Sequence, residues 1–524
     1  MERASLHRIC IILALVPCAL PAQDGLLNPG FGTNGLVYTP FASGSHDEAH
    51  AVAIQHDGRI IAAGKSEGKF AAARYWSNGA LDSTFGTAGK VTTDMYGGNG
   101  AYAALVQPDG KIVIIGTGYV GQFGLVRYDT SGALDATFAG SGWTMEGLGY
   151  PCYAYGAALQ ADGKIIVAGR VALGGNDDIL VMRFNTNGSL DGTFGSSGIV
   201  ETDFGGNEEA YGVAIQSDGR IVVVGSNYNA DFLVVRYRSN GTIDSTFGTN
   251  GKVLTPVGTG YDNAYAVAIQ ADGKIVVAGY ATSVWSNFGV VRYDTSGVLD
   301  PTFSGDGITT TWFGYGHDIA YSVAIQLDGK IVAAGTVTDS TGGYNYGVVR
   351  YNSDGALDNT FGSGGTASTD LGSVLDYGNA MAIQSDGKIV VAGQSLVPTG
   401  RYSFAVAEYL GSSGPLLVDV IEVASVPKEF TLAQNYPNPF NPETEITFAL
   451  PEPSRVRVSV FDILGREIVT IVDGEMAVGF HHVRWAGQDA AGQKTASGIY
   501  FYRITAVGES GREFTRVMKM ILAR

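Results

Sequence analysis

A repeat of 52 to 58 residues runs through most of the sequence and restricts what the chain can fold into. Sequence repetition on this scale is typical of solenoids, propellers and arrays of small structural units. One recurring motif is Gln-x-Asp-Gly-(Lys/Arg)-Ile, which begins at Gln55, Gln107, Gln160, Gln216, Gln270, Gln326 and Gln384. A second motif, Leu-Asp-x-Thr-Phe-Gly-x-x-Gly with small variations, surrounds Phe85, Phe138, Phe194, Phe247, Phe303 and Phe361, with a degenerate copy at Phe31.

Each repeat predicts four short strands. In the fifth unit these are Lys252–Thr255, Ala266–Gln270, Lys274–Gly279 and Phe288–Tyr293. The Asp-Gly pair between the second and third runs is a strong hairpin signal, because glycine adopts the positive φ of a tight turn freely. No stretch of the repeats shows sustained helical periodicity.

Seven four-stranded units predict an all-β fold, a seven-bladed β-propeller over residues 23–411. The alternative is an open solenoid, which needs capping units that neither end of the array resembles. The array starts with a lone strand at 35–40 and stops after Phe404–Tyr409. We expect a closed ring, since closure pairs these two ends and removes exposed sheet edges.

Six units carry an arginine near the end of the last strand and an aspartate eight residues later. The pairs are Arg74 and Asp82, Arg127 and Asp135, Arg183 and Asp191, Arg236 and Asp244, Arg292 and Asp300, and Arg350 and Asp358. In the seventh unit Glu408 replaces the arginine, and residues 410–412 contain no Leu-Asp step. The joint loss predicts that Arg236–Asp244, Arg292–Asp300 and their counterparts are structural clamps. The alternative is that the last unit is degenerate.

The two ends of the chain have different compositions. Arg3 and Arg8, an apolar run from Ile9 to Val16 and a small-residue site ending at Ala22 predict a signal peptide at 1–22. Cys18 allows a lipoprotein alternative, although Pro17 fits it poorly. A linker is expected at 412–429, and six short alternating runs in 430–524 predict an immunoglobulin-like β-sandwich.

Charge and cysteine content narrow the partners. Without Glu2, Arg3 and Arg8, the mature chain has 31 basic and 49 acidic residues, a net charge of −18. This argues against nucleic acid, whose phosphates require clustered cations. Only Cys152 remains after removal of the signal peptide, so stability must come from burial rather than disulfides. No transmembrane segment is expected in the mature chain.

Both regions resemble known families. The pattern Leu-Asp-x-Thr-Phe-Gly…Val-Ala-Ile-Gln-x-Asp-Gly-Lys-Ile-Val-Val-Ala-Gly…Val-Val-Arg-Tyr, over about 27–410, resembles the delta-60 repeat family of bacterial secreted proteins. That resemblance implies an architecture and no defined activity. The segments 436–442, 460–466 and 496–502 resemble the type A sorting domain of the type IX secretion system, which has a FlgD-like immunoglobulin fold.

The sorting resemblance implies particular residues, partners and a location. The motif residues are Pro437, Asn438, Pro439, Phe440, Asn441, Pro442, Gly465, Arg466, Gly498, Tyr500 and Lys519. The implied partners are the type IX machinery and surface lipopolysaccharide. The implied location is the medium or the outer surface of a Gram-negative bacterium.

Motifs for catalysis or metal binding are sparse. Gly64–Gly68 matches Gly-x-Ser-x-Gly around Ser66, but the predicted context is strand–loop–strand, whereas a nucleophile elbow leads into a helix. His46 and His50 are four apart on a predicted loop and strand, where we expect them not to converge. Turns after the last strand of a unit space oxygen ligands as calcium loops do, and an Asx turn explains them equally well. Their candidate ligands are Asp129, Asp135, Asn352, Asp354 and Asp358.

These observations predict a non-enzymatic binding or scaffold protein without a cofactor, calcium being the one candidate. Its ligand, a glycan or a protein, would contact one propeller face or the variable loops at 172–178, 283–287 and 338–345. Trp285, Tyr344 and Tyr346 would either stack on a glycan or pack at blade edges. The rival hypothesis is a propeller hydrolase or lactonase with a metal in the central channel, which requires one or two units with distinctive polar residues.

Overall fold

The computed structural model describes residues 24–227, 231–411 and 429–523, apart from 433–434, 436–437, 439, 442, 477–478, 491–492 and 509. The predicted signal peptide and nearly all of the predicted linker lie outside these residues. The named secondary-structure elements are all strands. Within the described ranges, no helix has the length and apolar character needed to cross a membrane.

Seven four-stranded antiparallel sheets form the blades of a propeller, and the predicted seven-bladed fold is confirmed. The first strand of the chain, β1 (Leu36–Thr39), belongs to blade seven. The blades, in chain order and from the inner strand outwards, are β2 (Asp47–Ile54), β3 (Ile60–Ser66), β4 (Lys69–Tyr75), β5 (Lys90–Thr93); β6 (Gly100–Val106), β7 (Ile112–Thr117), β8 (Phe123–Tyr128), β9 (Trp143–Glu146); β10 (Cys152–Leu159), β11 (Ile165–Leu173), β12 (Asn176–Phe184), β13 (Ile199–Thr202); β14 (Glu209–Ile215), β15 (Ile221–Ser226), β16 (Phe232–Tyr237), β17 (Lys252–Thr255); β18 (Asp262–Ile269), β19 (Ile275–Thr282), β20 (Ser286–Tyr293), β21 (Ile308–Thr311); β22 (Ile319–Ile325), β23 (Ile331–Thr338), β24 (Tyr344–Tyr351), β25 (Thr366–Thr369); and β26 (Asp376–Ile383), β27 (Ile389–Val397), β28 (Arg401–Tyr409) with β1.

The predicted unit began one strand too early. β17 was expected to open the fifth unit, but it pairs with β16, with Phe232 opposite Thr255, and is therefore the outer strand of blade four. The next strand, β18, starts the following sheet as its inner strand. Sequence spacing shows that the two strands are neighbours in the chain, whereas the hydrogen bonds decide which blade each one joins.

The ring is closed, so the open-solenoid alternative is wrong. β1 pairs antiparallel with β28, with Leu36 opposite Ala407. Each inner strand packs against the inner strand of the next blade, and β26 packs against β2 to complete the circuit. The lone first strand and the last strands of the array thus form one blade.

Apolar side chains fill the space between neighbouring blades. The motif phenylalanines are fully buried, and Phe247 shares a core cluster with Val234 of blade four and with Ile275 and Tyr293 of blade five. The Tyr293 hydroxyl donates to Thr255 Oγ1 at 2.7 Å. Blade-to-blade packing therefore buries both faces of each sheet, as the β-branched runs of the sequence require.

The arginine and aspartate of each repeat lie together in the structure. Arg236 Nε donates to Asp244 Oδ2 at 2.9 Å, and both residues are buried. The same guanidinium lies 4.5 Å over the Phe247 ring, and its Nη1 donates to the carbonyl of Thr295 in the next blade at 2.5 Å. Arg292 repeats the arrangement with Asp300 at 2.8 Å and with the carbonyl of Ser353 at 2.5 Å. The arginine therefore contacts two blades, and its clamping role stays a prediction.

Residues of the N-terminal segment replace the Leu-Asp pair that is missing from the seventh unit. Asn28 Nδ2 donates to Glu408 Oε1 at 2.5 Å, and Leu27 bridges to Tyr409. Leu27-Asn28 thus occupies the place of Leu-Asp in blade seven, which the sequence analysis treated as absent. Glu408 is fully buried, and burial raises the pKa of its carboxyl. The pair at the closure point is an amide with a carboxyl instead of an ion pair.

The N-terminal segment also reaches blade six. Arg350 Nη2 donates to Asp24 Oδ2 at 2.9 Å, and the Asp24 carbonyl accepts from Gly362 N at 2.7 Å. In the other blades a turn of the following blade supplies the carbonyl partner, for example Thr295 for Arg236. Residues 24–28 therefore complete both the pairing within blade seven and its contact with blade six.

The C-terminal region is a sandwich of two antiparallel sheets, and the predicted immunoglobulin-like fold is confirmed. One sheet has the order β29-β30-β33 and the other β32-β31-β34-β35. The apolar core between them includes Phe448, Val458, Trp485 and Tyr502. The strands are β29 (Thr431–Leu432), β30 (Thr444–Leu450), β31 (Ser454–Phe461), β32 (Glu467–Met476), β33 (Gly479–Trp485), β34 (Gly498–Gly508) and β35 (Glu513–Leu522).

The closure pair can be exchanged for the pair of the other six blades. Asn28→Asp places a second carboxylate against buried Glu408, and we expect the free energy of unfolding to fall by about 3 kcal/mol at pH 7.5. Glu408→Arg alone leaves a buried guanidinium without its carboxylate and should also destabilise. The double variant Asn28→Asp/Glu408→Arg restores an arginine–aspartate pair and should regain most of the loss. Denaturant unfolding of all four proteins tests this, and strictly additive losses would refute coupling at this position.

Candidate functional site

A β-bulge recurs near the start of each inner strand and determines the lining of the propeller axis. In blade five the register shifts between Ala264 and Ala266, so Tyr265 has no partner of its own on β19. The glycine of the Val-Ala-Gly run makes room for the bulge, because a Cβ at Gly279 would lie 1.8 Å from the Asn263 carbonyl oxygen. Since bulges redirect a side chain, this position points out of the regular pleat.

The seven bulge residues form a ring around the axis, which we call the bulge ring. Its members are His50, Tyr102, Tyr155, Tyr211, Tyr265, Tyr321 and Asn379. Six of them are aromatic and make an unbroken series of ring contacts from blade one to blade six, with centroids 4.9 to 5.7 Å apart. Asn379 closes the circle by donating to the Ala49 carbonyl at 2.8 Å. All seven are half-buried.

A second aromatic series covers blade seven, whose bulge residue is not aromatic. Tyr344 packs against Tyr377 at 5.1 Å, Tyr377 against Tyr402 at 6.0 Å, and Tyr402 against His46 at 5.1 Å. Tyr377 lies two residues before Asn379 on the same inner strand. Aromatic side chains therefore surround the mouth of the channel on every blade.

The residue two positions before each bulge forms a more variable layer above the ring. These residues are Glu48, Gly100, Tyr153, Glu209, Asn263, Ile319 and Tyr377. The Tyr211 hydroxyl donates to Glu209, whereas Tyr102 and Tyr321 lie below Gly100 and Ile319, which offer no side-chain acceptor. Burial raises the pKa of Tyr265 to about 12, so the hydroxyl of Tyr265 is protonated at neutral pH. The residue type at the bulge thus repeats in most blades, whereas the residue two positions earlier differs among the blades.

Glu48 organises a cluster of ionisable groups at blade one. Its carboxylate lies 2.7 Å from His46 Nε2, 3.4 Å from His50 Nε2 and 3.0 Å from Lys65 Nζ. Burial alone would raise the pKa of Glu48, but the hydrogen bonds from His50 and Lys65 lower it to about 2. The expectation that His46 and His50 do not converge was wrong: His46 precedes β2 and His50 is its bulge residue, and both imidazoles lie against Glu48.

A second ionic cluster lies at blades three and four. Arg170 Nη1 pairs with Asp177, and its Nε lies 3.4 Å from Glu209 Oε1. The guanidinium also covers the Tyr153 ring at 4.4 Å. The two clusters give the mouth paired charges on separated blades, between which the aromatic faces are continuous.

The calcium candidates have other partners. Asp129 Oδ1 accepts from Ser131 N at 2.8 Å and from Ala133 N at 3.0 Å, which is an Asx turn. Asp354 Oδ1 accepts from Ala356 N at 3.0 Å, and Asn352 Nδ2 donates to the Leu357 carbonyl at 3.4 Å. Asp135 and Asp358 are the clamp carboxylates of Arg127 and Arg350. The structure distributes these five residues between turns and clamps.

A cluster of three carboxylates that the sequence did not predict lies between blades three and four. One oxygen each of Asp178, Asp203 and Glu208 lies within 4.8 Å of the others. Burial first, and then the charge of Asp203, raises the pKa of Asp178 to about 6. Asp178 lies near the start of β12 in blade three, and Asp203 and Glu208 lie in the connection to blade four, two segments whose proximity the repeat spacing does not reveal.

The three aromatic residues that the sequence suggested for glycan stacking lie in different environments. Tyr346 is fully buried, and its hydroxyl donates to the Ala405 carbonyl at 2.9 Å, so it packs inside the blade. Tyr344 belongs to the second aromatic series, and Trp285 is 49% exposed beside His317. The bulge-ring tyrosines were also missed, although each stands five residues before the motif glutamine of its repeat.

An open groove of about 750 Å³ lies at the other end of the propeller, between the hairpin turns of blades two and three. Its lining includes Lys111 and Arg127, and both cations pair with Asp135, at 3.1 and 2.8 Å. Arg127 Nη1 also donates to the Thr186 carbonyl of blade three at 2.5 Å. The cations of this groove are therefore bonded within and between blades, and the mouth is the stronger site candidate. Ser66 is a buried strand end followed by a two-residue turn into β4, which is the predicted strand–loop–strand context.

The described sorting-motif residues lie along the last strand and in turns. Asn438 Oδ1 accepts from Ile521 N at 2.9 Å, and buried Phe440 bridges to Leu522. Gly465, with φ of 77°, turns the chain beside Arg466, whose Nε donates to Asp462 at 2.7 Å. Gly498 opens β34, and the Tyr500 hydroxyl donates to the Ala496 carbonyl at 2.7 Å. Asn441 and Lys519 are exposed, and Pro437, Pro439 and Pro442 lie outside the described residues.

Two family matches agree with this architecture. The chain carries a DUF5122 β-propeller repeat region and a FlgD Ig-like domain. The first family is described as a domain of unknown function with a β-propeller fold, and it matches residues 55–85, 107–138, 160–194, 216–247, 270–303, 326–361 and 384–410. The FlgD Ig-like family matches residues 435–510. No curated protein sequence matches the chain.

Solved structures share only a distant likeness. PorZ of Porphyromonas gingivalis, an essential surface component of the type IX secretion system, is 12% identical, with 90% of this chain and 65% of PorZ covered and a TM-score of 0.33. A protein of unknown function from Dyadobacter fermentans is 14% identical, with 73% and 100% covered and a TM-score of 0.40. The BP39L lectin of Burkholderia pseudomallei is 12% identical, with 68% and 98% covered and a TM-score of 0.39. At these TM-scores the likenesses carry no argument about function.

The cluster of Asp178, Asp203 and Glu208 predicts that the free energy of unfolding depends on pH. A carboxyl whose pKa is raised on folding costs stability as pH rises from about 4 through 6. Asp178→Asn removes that cost, so the free energy of unfolding should increase by about 1–3 kcal/mol at pH 7.5 and hardly change at pH 4. Thermal unfolding at the two pH values measures the difference. Asp94→Asn, at an exposed position, serves as the control, and an equal effect of Asp178→Asn at both pH values would contradict the prediction.

Proposed function

We propose that this protein is a secreted, non-enzymatic binding protein of the outer cell surface, which binds its ligand at the aromatic mouth of the propeller. The observation that carries the proposal is the bulge ring. Aromatic side chains recur at one position of the inner strand in six blades, and they remain half-buried instead of filling a core. Exposed aromatic faces combined with polar groups are typical of recognition surfaces.

The layer above the ring supplies specificity. It differs from blade to blade, from Glu48 and Glu209 to Tyr153 and Tyr377, whereas the residues below it repeat. A ligand over the mouth therefore meets an aromatic base on six blades and, above it, a layer that is polar on some blades and apolar on others. This division of labour suits binding, because the base provides contact area and the variable layer fixes orientation.

The proposal includes neither catalysis nor a resident cofactor. The mouth carboxylates that a reaction or a metal would use are engaged by cations, Glu48 by Lys65 and Glu209 by Arg170. Five of the seven ring positions hold tyrosines. Of the other two, His50 Nε2 lies 3.4 Å from the Glu48 carboxylate and Asn379 donates to the Ala49 carbonyl at 2.8 Å. The calcium candidates are bonded within turns and clamps.

Delivery to the surface is assigned to the signal peptide and the C-terminal domain. The FlgD Ig-like match and the sorting motifs support export by the type IX machinery. Its last strand, β35, is a sheet edge that presents Arg516 and Lys519 to solvent. An exposed edge with cations suits recognition by the export machinery and contact with the phosphates of lipopolysaccharide.

Export has a direct test in a bacterium that possesses a type IX system. The full chain should appear on the cell surface or in the medium with its N-terminus near Gln23, whereas deletion of residues 430–524 should retain the protein in the periplasm. Fractionation followed by mass analysis of the terminal peptides measures both. Gly498→Ala/Lys519→Glu in the full chain serves as a milder variant. Surface delivery of the truncated chain would refute the role of the C-terminal domain.

Ligand binding at the mouth is tested with a panel of neutral hexasaccharides and 16-residue peptides of differing charge. Any member that binds the mature chain should lose about ten-fold in affinity on Tyr102→Ala/Tyr321→Ala. Trp76→Ala, at the opposite end of the propeller, should leave its affinity unchanged. The bound compound should be recovered chemically intact. Its conversion to a product would favour the hydrolase hypothesis, and insensitivity to the tyrosine pair would place binding elsewhere.

A further inference from the structure

The two ends of the propeller differ in the charge of their loops. One end carries the loops between the second and third strands of each blade and the connections to the next inner strand, and we call it the loop face. Its described segments are 40–46, 67–68, 94–99, 118–122, 147–151, 174–175, 203–208, 227, 231, 256–261, 283–285, 312–318, 339–343, 370–375 and 398–400. The bulge ring lies near this end, because each bulge follows the start of its inner strand.

The loop face is acidic. In sequence, its segments contain carboxylates and neither lysine nor arginine. Glu208 and Asp318 among them are buried, and the others reach the surface to differing degrees. The carboxylates are Glu67, Asp94, Asp203, Glu208, Asp231, Asp318, Asp339 and Asp370.

Cations near this face stand on the strand ends. Lys65 and Arg170 are paired with carboxylates of the mouth, and Lys69 and Arg401 begin strands at the outer side of the loops. Two further lysines reach this face, since Lys90 Nζ donates to the Pro40 carbonyl at 2.8 Å and Lys252 Nζ lies 3.9 Å over the Phe204 ring. The opposite end is closer to charge balance, because each of the seven Asp-Gly hairpin turns contains one aspartate and one lysine or arginine, although the turns after the third strands add Asp129, Asp294 and Asp354. The acidic character of the chain is therefore concentrated at one end of the propeller.

The exposed aromatic side chains follow the same division. Among the described propeller residues, the strongly exposed tyrosines and tryptophans of the loops lie on the loop face, whereas the other end presents Trp76, which Arg59 covers at 4.3 Å. Exposed aromatics at loop tips gain nothing for the fold, so they indicate a contact surface. They are Tyr96, Tyr119, Tyr150, Tyr261, Trp285, Trp312 and Tyr315.

Hydrogen bonds join several of these loops into one surface. Thr259 N and Gly260 N donate to the Thr282 carbonyl, and Asp318 N donates to the Ser286 carbonyl at 2.8 Å. Trp285 packs edge-on against His317 at 5.2 Å. The loops that carry Tyr261, Trp285 and Tyr315 therefore support one another across blades four to six, and the patch is built before any partner arrives.

We infer that the loop face binds a basic polypeptide, a lysine- and arginine-rich protein surface or segment. This inference rests on the proposed binding function and names the class of partner. Carboxylates attract cationic side chains, and tyrosine and tryptophan rings bind ammonium and guanidinium groups over their faces. A neutral glycan would account for the aromatic groups but gives no reason for the charge difference between the ends. An anionic partner is repelled by the face.

The test uses the mature chain and a fluorescein-labelled oligolysine of 16 residues, with oligoglutamate of equal length and a neutral hexasaccharide as the other probes. Two triple variants change the charge equally at the two ends. Asp94→Asn/Asp203→Asn/Asp370→Asn alters exposed positions of the loop face, and Asp109→Asn/Asp162→Asn/Asp272→Asn alters exposed positions of the hairpin turns. Asparagine keeps the backbone hydrogen bond that each of these aspartates accepts.

We expect oligolysine to bind and its Kd to rise about ten-fold in the loop-face triple but less than about two-fold in the hairpin triple. Trp285→Ala/Trp312→Ala/Tyr315→Ala, which changes no charge, should also raise the Kd about five-fold, while Trp76→Ala should not. Thermal unfolding verifies that each variant is folded.

Absence of oligolysine binding, or equal losses in the two charge triples, would overturn the inference. Binding of the neutral hexasaccharide that ignores the loop-face triple but needs Tyr102 and Tyr321 would also overturn it, and would leave the proposed binding function standing. Failure of the proposed function is recognised separately, by retention of the protein inside the cell or by conversion of a bound compound.

Discussion

In each of the first six blades, a buried guanidinium contacts its own blade and the segment packed next to it, and we expect the propeller to depend on this interaction. Arg236 binds Asp244 of its own blade and a backbone carbonyl of the next, over the face of Phe247. Because an arginine has five donors in a rigid plane, one side chain can fix both the strand end and the neighbouring turn. If the pairs act as the predicted clamps, repetition of this contact restricts the angle between neighbouring blades.

The candidate site is also produced by one repeated feature, the β-bulge of each inner strand. Each inner strand takes up one extra residue, and the facing glycine provides the space for it. A bulge would ordinarily disturb a sheet, but here it occurs on the edge that faces the axis, where no further strand needs pairing. The result is a ring of side chains held by strands rather than by loops. Binding surfaces on rigid elements lose little conformational entropy when a ligand arrives.

Much of the architecture could be predicted from the sequence, because the repeats are local and regular. The seven Asp-Gly hairpins and the arginine–aspartate spacing follow from patterns within a few dozen residues. Ring closure was expected on different grounds, because the lone first strand and the last strands of the array would otherwise leave exposed sheet edges. The assignment of β17 to the preceding blade did not follow, since hydrogen-bond partners and not spacing decide it. The Asn28–Glu408 pair was also missed, because its two residues are 380 positions apart and neither repeats the consensus.

The functional residues were harder to predict for a physical reason. The tyrosines of the bulge ring looked like ordinary strand residues, and only the register shift shows that they leave the pleat. The convergence of His46 and His50 on Glu48 involves a residue before β2 and the bulge residue within it, and the spacing of the sequence does not reveal the bulge. Charge separation between the two ends needs the strand order, because sequence composition averages both ends together.

Closure of the ring through β1 has a consequence for how the chain folds. Leu36 pairs with Ala407, so the outer strand of blade seven is made first and waits for almost the whole propeller. At about 5–20 residues per second, ribosomal synthesis leaves that strand unpaired for about 20 seconds or longer. The final contact is therefore of very high sequence separation, which slows folding. Once made, it ties the first blade to the last, so the ring unfolds as a unit rather than from an end as a linear array does.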